Sequence, residues 1–306
     1  MQKRKMLLGC LYIIFSAVIF GCMPLMAKHL YADGVNSMTL VALRNTVSLP
    51  FLLLIAVLKK EPFPASVRDA LPVFWIGILG CAVTPLLLFS SYNYMNSGAA
   101  TVLHFVYPAA VLLLEFLFLG GVKRESWIAI ALCIVGIALF YNPAEGLSLA
   151  GSALALLSGL SYAGYIFLLG RIGKRGMGGF AFSFFATLAA TVVMWIACFA
   201  SGAVALPRTA FGWGLSVAFA LVINIGAVML FQSGAFIIGA QKAAILSTFE
   251  PITSLIVGYF AFSEAVAPLS ILGSVLVIAA SAVIGMAGEG EEAHENKENA
   301  ENGDLR

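Results

Sequence analysis

Ten apolar runs of about twenty residues each follow one another along the chain, at 6–28, 37–58, 70–95, 98–120, 125–141, 148–170, 179–203, 210–237, 241–262 and 267–287. A helix of about 20 residues rises about 30 Å, the thickness of a bilayer's hydrocarbon core. The runs are continuous rather than alternating, and about twice as long as a barrel strand, which excludes a transmembrane β-barrel. The pattern therefore predicts an all-α membrane protein with ten transmembrane helices. The first run follows Lys3, Arg4 and Lys5, as a secretory signal would. At about 22 residues it is too long for a signal core, and no small-x-small site closes it, so it is read as the first span.

Composition strengthens this reading. The 306 residues are 61% hydrophobic and 10% charged, against roughly 45–50% and about 25% in soluble domains. So little charge cannot cover a water-facing surface. The five cysteines, Cys10, Cys22, Cys81, Cys133 and Cys198, all lie inside apolar runs. None has CxxC spacing or a nearby histidine at ligand spacing, so they read as small buried hydrophobes, and no metal site is expected.

Lysine and arginine orient the bundle. With the N-terminus in the cytoplasm, twelve bases fall on cytoplasmic segments: Lys3, Arg4, Lys5, Lys59, Lys60, Arg68, Lys123, Arg124, Arg171, Lys174, Arg175 and Lys242. Two, Lys28 and Arg208, fall on external ends. Both termini are thus expected in the cytoplasm, in a bacterial-type inner membrane. Residues 288–306 carry seven acids against two bases and no hydrophobic periodicity, which predicts a disordered acidic cytoplasmic tail. Without it the chain holds 15 bases and 8 acids, so the cytoplasmic face suits anionic membrane lipid rather than nucleic acid.

The chain repeats internally. Gly98–Gly121 (GAATVLHFVYPAAVLLLEFLFLGG) aligns with Gln241–Glu264 (QKAAILSTFEPITSLIVGYFAFSE) at an offset of 143, which sets Pro108 on Pro251. Upstream, LLFSSYNY and MLFQSGAF match with a one-residue slip, and Gly9 and Ser16 match Gly151 and Ser158 at an offset of 142. The division is 1–145 and 146–287. Five helices per half make the halves cross the membrane in opposite directions: an inverted-topology repeat, which in secondary transporters places the substrate site at mid-depth between the halves.

Four segments carry a family resemblance: FGCMPLMAKHL, LVALRNTVSLPFLLL, SGAATVLHFVYPAAVLL and ILSTFEPITSLIVGYFAFSE. The chain resembles EamA-type members of the drug/metabolite transporter superfamily over residues 6–287. The resemblance implies a ten-helix secondary transporter built of two five-helix EamA units, and by analogy an exporter of amino acids or related metabolites. Arg44 matches an arginine common at this point of the family's second helix, and Lys28 the lysine ending its first. Glu264 matches the signature that closes the ninth helix, where the first unit has Gly121 instead. Glu264 is therefore assigned a structural role at the turn between helices 9 and 10.

Ionisable groups in mid-span cost roughly 2.5–3.5 kcal/mol each unless paired or facing water. Four are present: Arg44, His104, Glu115 and Glu250. Glu250 precedes Pro251, a residue that removes one helix hydrogen bond and is expected to free the Ser247 carbonyl. Ser247, Glu250, Pro251 and Ser254 share one face, fit for a cationic group or a coupling proton, or else for a structural carboxyl braced by a neighbour. His104, Tyr107, Pro108 and Glu115 form the equivalent stripe in helix 4, and under the offset His104 falls on Ser247 and Tyr107 on Glu250. Glu115 lies within reach of Lys123 or Arg124 and reads as structural. Arg44 can snorkel, and a structural salt bridge is expected of it. Asn224, Gln232, Tyr92, Asn93, Tyr162, Tyr165 and Phe20 complete a candidate cavity, each with helix packing as its other reading.

Enzyme readings have little support. There is no GxSxG, no HExxH and no GxxxxGK[ST], so no catalytic residue, cofactor or ATP-driven pump is expected. An intramembrane enzyme would need a reactive pair beyond His104 with Glu250. A channel or non-transporting scaffold would favour a repeated polar ring, which the chain lacks.

Overall fold

The computed structural model describes residues 2–119, 124–139, 148–172, 176–238, 243, 246–264, 267–269, 271–280 and 283, and its regular structure is helical throughout. Among the described residues, seven helices are long and apolar enough to cross a membrane: Lys3–Ala32, Ser37–Leu58, Val67–Ser91, Ser97–Phe118, Leu149–Ile172, Gly179–Ala200 and Ala210–Ala235. Three shorter apolar helices, Ile130–Leu139, Phe249–Phe262 and Ile271–Ala280, stand at the remaining predicted spans. The chain is a multi-pass membrane protein whose apolar side chains face outward. Trp75, Phe199 and Phe260 are each at least 66% exposed, whereas Ser16, Thr39, Ser158 and Ser254 are fully buried. The acidic tail and Lys123, Lys174, Arg175 and Lys242 lie outside the described residues, as do the side chains of Arg124 and Gln232.

Several spans are not continuous α-helices. The first is α1 (Gln2–Gly21) and α2 (Met23–Ala32), broken at Cys22 just before Pro24. The second, α3 (Ser37–Leu58), runs unbroken. In the third, a π-helical stretch, Ile78–Val83, separates α4 (Val67–Gly77) from α5 (Thr84–Ser91). The fourth splits into α6 (Ser97–His104) and α7 (Tyr107–Leu119). Then come α8 (Arg124–Leu139), α9 (Leu149–Ile172) and α10 (Gly179–Ala200). The eighth span again joins two α-helices, α11 (Ala210–Phe219) and α12 (Val228–Ile238), through a π-helical stretch, Ala220–Ala227. The ninth turns at Ser247–Thr248 before α13 (Phe249–Phe262), and α14 (Ile271–Ala280) lies in the tenth.

The irregularities recur with the repeat. Shifted by 143, the π stretch of the third span falls on that of the eighth, and the break in the fourth falls within one residue of that in the ninth. Wide turns and breaks leave carbonyls without helical partners, a costly condition in lipid. Side chains of the same span or of a neighbouring one supply the donors. Thr84 donates to the Leu79 carbonyl at 2.9 Å, Asn45 to that of Cys81 at 3.0 Å, and Ser16 to that of Ala227 at 2.7 Å. The expected free carbonyl at Ser247 is not free: it accepts from the Glu250 N–H at 2.9 Å in a tight turn. Glycines let other backbones approach the breaks. A Cβ at Gly159 would lie 2.5 Å from the His104 carbonyl oxygen, and one at Gly21 would lie 2.7 Å from that of Glu250.

The two ends of the bundle are closed differently. One end, the basic end, holds Lys59, Lys60 and Arg171. There the Glu61 carboxylate accepts the first N–H groups of α10, from Phe180 at 2.7 Å and Ala181 at 3.0 Å. At the opposite end Asp33 does the same for Arg208 at 3.0 Å and Thr209 at 3.3 Å, just before α11. That end carries a second lock. Ser263 turns left-handed (φ 51°) and swings the buried Glu264 back over the start of α6. Its carboxylate pairs with Lys28 and accepts from the Ser97 N–H at 3.0 Å, the Ser97 hydroxyl at 2.8 Å and the Gly98 N–H at 3.3 Å. The lock thus ties α2 and the α13 end to the N-terminus of α6, where a negative charge is favoured.

Burial alone would raise the Glu264 carboxyl, but the Lys28 ammonium and the Ser97 donors outweigh it and hold it below the usual carboxylate range. A depressed carboxyl stabilises the fold above its unfolded-state value, and that contribution is lost as the pH falls through the folded one. Glu264→Gln should therefore destabilise the protein by about 1–3 kcal/mol at neutral pH. The gap to wild type should narrow as the pH falls into the acid range. Thermal unfolding across pH in detergent checks this; equal melting temperatures at pH 7 would reject the lock.

Candidate functional site

A cavity of about 720 Å³ opens among α1, α3, α5, α6, α7, α9, α10, α12, the two π stretches and the start of α13. Its depth follows from where the lining residues stand on their helices. Leu52, Glu115, Leu169 and Phe182 each line it within about two turns of the basic end. On the other side it stops at Arg44, His104 and Glu250, each about two turns or more inside the opposite end. Beyond them Phe89 lines its floor and packs edge-on against Phe219 at 5.8 Å; both are at most 1% exposed. The cavity is therefore displaced toward the basic end and sealed from the other by aromatic rings and the Glu264 lock.

Most of its wall is apolar or aromatic. Tyr107 and Tyr162 meet edge to face at 4.9 Å, Tyr162 stacks with Tyr165 at 5.7 Å, and His104 lies 5.6 Å from Tyr162. His104 Nδ1 is 2.8 Å from the Ser158 hydroxyl. Tyr107 is hydrogen-bonded to Ser247, which joins the stripes of the fourth and ninth spans across the two halves. Asn224 donates to the Ser48 hydroxyl at 2.9 Å and the Arg44 carbonyl at 3.3 Å. Few polar groups in a largely apolar chamber are what a small-molecule site needs.

Residues 7–142 and again 149–286 match the EamA-like transporter family. The chain belongs to the EamA-like transporter family. An uncharacterized transporter of Bacillus subtilis, YcbK, is 23% identical over 300 residues, covering 88% of this chain and 90% of the relative. An uncharacterized transporter of Archaeoglobus fulgidus is 25% identical over 286 residues, covering 90% and 96%. A solved crystal structure superposes with a TM-score of 0.60 at 15% identity, covering 90% of this chain and 96% of that one, a likeness of fold. A transporter of this family carries a small-molecule substrate and is not an enzyme.

This EamA-like transporter brings Glu250, Ser247, His104, Tyr107, Asn224, Tyr162, Tyr165 and Phe20 together on the cavity wall, with Pro108, Arg44 and Glu115. Other candidates stand elsewhere. Ser254 is fully buried and donates to Thr101 at 2.9 Å, and Tyr92, also buried, lies 3.4 Å from the same hydroxyl. Asn93 is exposed at the end of α5 and donates to Ser37. Pro251 is buried behind the break, and Glu264 sits in the lock. Gln232 is on α12, its side chain outside the described residues. Arg44 departs from expectation: no carboxylate lies within ion-pair distance among the described residues, and its Nε has no hydrogen-bond partner. Lining residues with no earlier signal include Asn45, Thr84, Ser183 and Thr187. A hydroxyl on an apolar helix looks the same in sequence whether it faces a cavity or a neighbour.

In a cysteine-free background, Ser183→Cys and Ser247→Cys should react with a small water-soluble thiol reagent. Ser254→Cys, behind the wall, should not. Equal labelling at all three positions would mean that the chamber is not shaped as described.

Proposed function

We propose that the chain is a secondary transporter working by alternating access, with its substrate held in the cavity between the two repeats, and that it exports amino acids or related metabolites. Membership of a transporter family supports the transport class, and amino-acid export extends it by analogy. The carrying observation is the Glu250 carboxylate, which faces the cavity with no hydrogen bond or ion pair among the described residues. A bracing carboxyl is held, as Glu264 is; Glu250 is left to meet something that enters. The lysines and arginines of the basic end favour a cytoplasmic position for that end, in a bacterial inner membrane. The chamber is then inward-facing, with the Glu264 lock closing the outside. In this arrangement the two repeats are 1–145 and 146–287, with 288–306 as a cytoplasmic tail.

Topology is tested by labelling single cysteines in intact cells with an impermeant reagent. Ser201→Cys should react from outside and Lys60→Cys only after permeabilisation; the reverse pattern overturns the orientation. Function is tested by counterflow in liposomes. Wild type should show saturable flux stimulated by substrate on the far side. Glu250→Gln keeps its shape but loses its charge, so it should insert and fold while flux or its dependence on pH, from about 5.5 to 8, changes at least tenfold at one end. Flux kinetics identical to wild type in folded Glu250→Gln protein would reject Glu250 as a substrate or proton site. His104→Gln is the parallel variant in the other half.

A further inference from the structure

The lock at the end opposite the basic one is built from Lys28 and Glu264, and at the repeat offset of 143 these correspond to Arg171 and Gly121. The cation recurs and the carboxylate does not, yet the first half carries a carboxylate nearby. Ser263 turns the chain back so that Glu264 lies over Gly258. A Cβ at Gly258 would collide with Glu264 Oε2 and would lie 3.7 Å from the Gly98 nitrogen, at the start of α6. The lock carboxylate therefore fills the space that a side chain at position 258 would take. In the first half that position is Glu115. The halves have thus exchanged a glycine and a glutamate: Gly258 with Glu264 in one, Glu115 with Gly121 in the other.

Arg171 is exposed in the last turn of α9, at the basic end, and makes no ion pair with a described carboxylate. Its guanidinium carbon rests 5.4 Å from the centroid of Phe167, much as Lys28 Nζ rests 4.6 Å from that of Phe262. Glu115 lines the chamber one turn before Phe118 on α7, and the Phe118 ring lies 5.5 Å from Phe167. The two charges therefore flank one aromatic contact between α7 and α9. Halves of like fold inserted in opposite directions pass from one access state to the other when they exchange conformations. The contacts that close one end here then specify, through the repeat, those that close the other end in the second state. We infer that Glu115 and Arg171 are the lock of the basic end, apart in this structure and paired when that end closes. The second lock is not a copy of the first. Ser97, whose hydroxyl serves Glu264, has an alanine at its repeat position, so one donor is missing.

The inference rests on the alternating-access reading but is tested without any substrate. The reporter is Ser183→Cys in full-length, otherwise cysteine-free protein; Ser183 lines the chamber one turn inside α10. An impermeant thiol reagent is supplied from the basic end in sealed vesicles, with Lys60→Cys fixing their sidedness. Glu264→Gln weakens the first lock, so the basic end should close more often and labelling of Ser183→Cys should slow about three- to tenfold. Lys28→Gln should do the same, and it covers the case in which Glu264→Gln does not fold. Adding Arg171→Gln or Glu115→Gln should bring labelling back to within about twofold of the starting rate. The exchanged pair, Glu115→Arg with Arg171→Glu, should slow it again, which residues that only support their helices would not do. The inference is overturned if neither Glu264→Gln nor Lys28→Gln slows labelling, or if Arg171→Gln leaves the slowed rate unchanged. It is also overturned if the exchanged pair behaves like either single variant. Labelling that follows the expected pattern, with no counterflow of any substrate, would reject transport and leave the paired locks standing. Normal counterflow beside any of the overturning results would do the reverse.

Discussion

Every backbone polar group inside the bilayer must find its partner within the protein, and the rest of this structure is organised around that requirement. A chain of unbroken helices would meet it trivially but would enclose only side-chain packing. Here the third, fourth, eighth and ninth spans widen or break at mid-depth, and the carbonyls set free there have to be served from the same span or from a neighbouring helix. The repairs assign the chemistry. Thr84, Asn45 and Ser16 serve carbonyls of the π stretches. The Ser247 carbonyl turns inward on the Glu250 N–H. The irregular stretches also border the chamber, whose wall includes Gly80, Cys81, Phe105, Ile223, Asn224 and Ser247.

The duplicated architecture appears most clearly in these defects. The π stretches and the breaks recur at nearly one offset, although few side chains around them are identical. Backbone geometry at mid-depth constrains the fold more strongly than any one residue does, since a mislaid irregularity leaves a carbonyl in hydrocarbon. The ends have diverged. Asp33 and Glu61 are comparable carboxylates on helix N-termini at opposite faces, each resolving the electrostatics of a helix start. The second lock is one-sided: Lys28 has Arg171 at its repeat position, but Glu264 is matched by Gly121. An additional tie at one end and none of its kind at the repeat position of the other accords with a chamber displaced toward the basic end. Under the proposed alternating-access cycle, it gives the two closed states a physical reason to differ in energy.

The span count, the duplication, the proline-marked breaks and the chamber's most polar stripe were all legible in the sequence. Each follows from a local rule: apolar length sets a span, a mid-helix proline removes a donor, and a charge in hydrocarbon demands a reason. Glu250, His104 and Tyr107 were found because they are unusual for their depth. The chain could not say which of two similar residues faces space. Ser247 and Ser254 are two turns apart on one predicted face, yet one lines the chamber and the other donates to Thr101. Tyr92 and Tyr162 both read as cavity aromatics, and only Tyr162 lines it. The break at Ser247–Thr248 and the close approach of α6 to the ninth span decide these cases.

Arg44 marks the boundary between the two kinds of information. Its sequence position specified a cation inside a span and suggested a partner. Whether a carboxylate stands opposite depends on how α3 packs against the third and eighth spans, a relation between segments far apart in the chain. The same holds for the lock, where Lys28 and Glu264 are 236 residues apart. Hydrophobic length and local backbone chemistry are properties of neighbouring residues, and the sequence alone determined what depends on them: the membrane class, the ten spans, the repeat and the proline-marked breaks of the fourth and ninth spans. Pairing and cavity shape are properties of distant segments brought together, so only the tertiary structure decided which charges are satisfied and which are left facing the chamber.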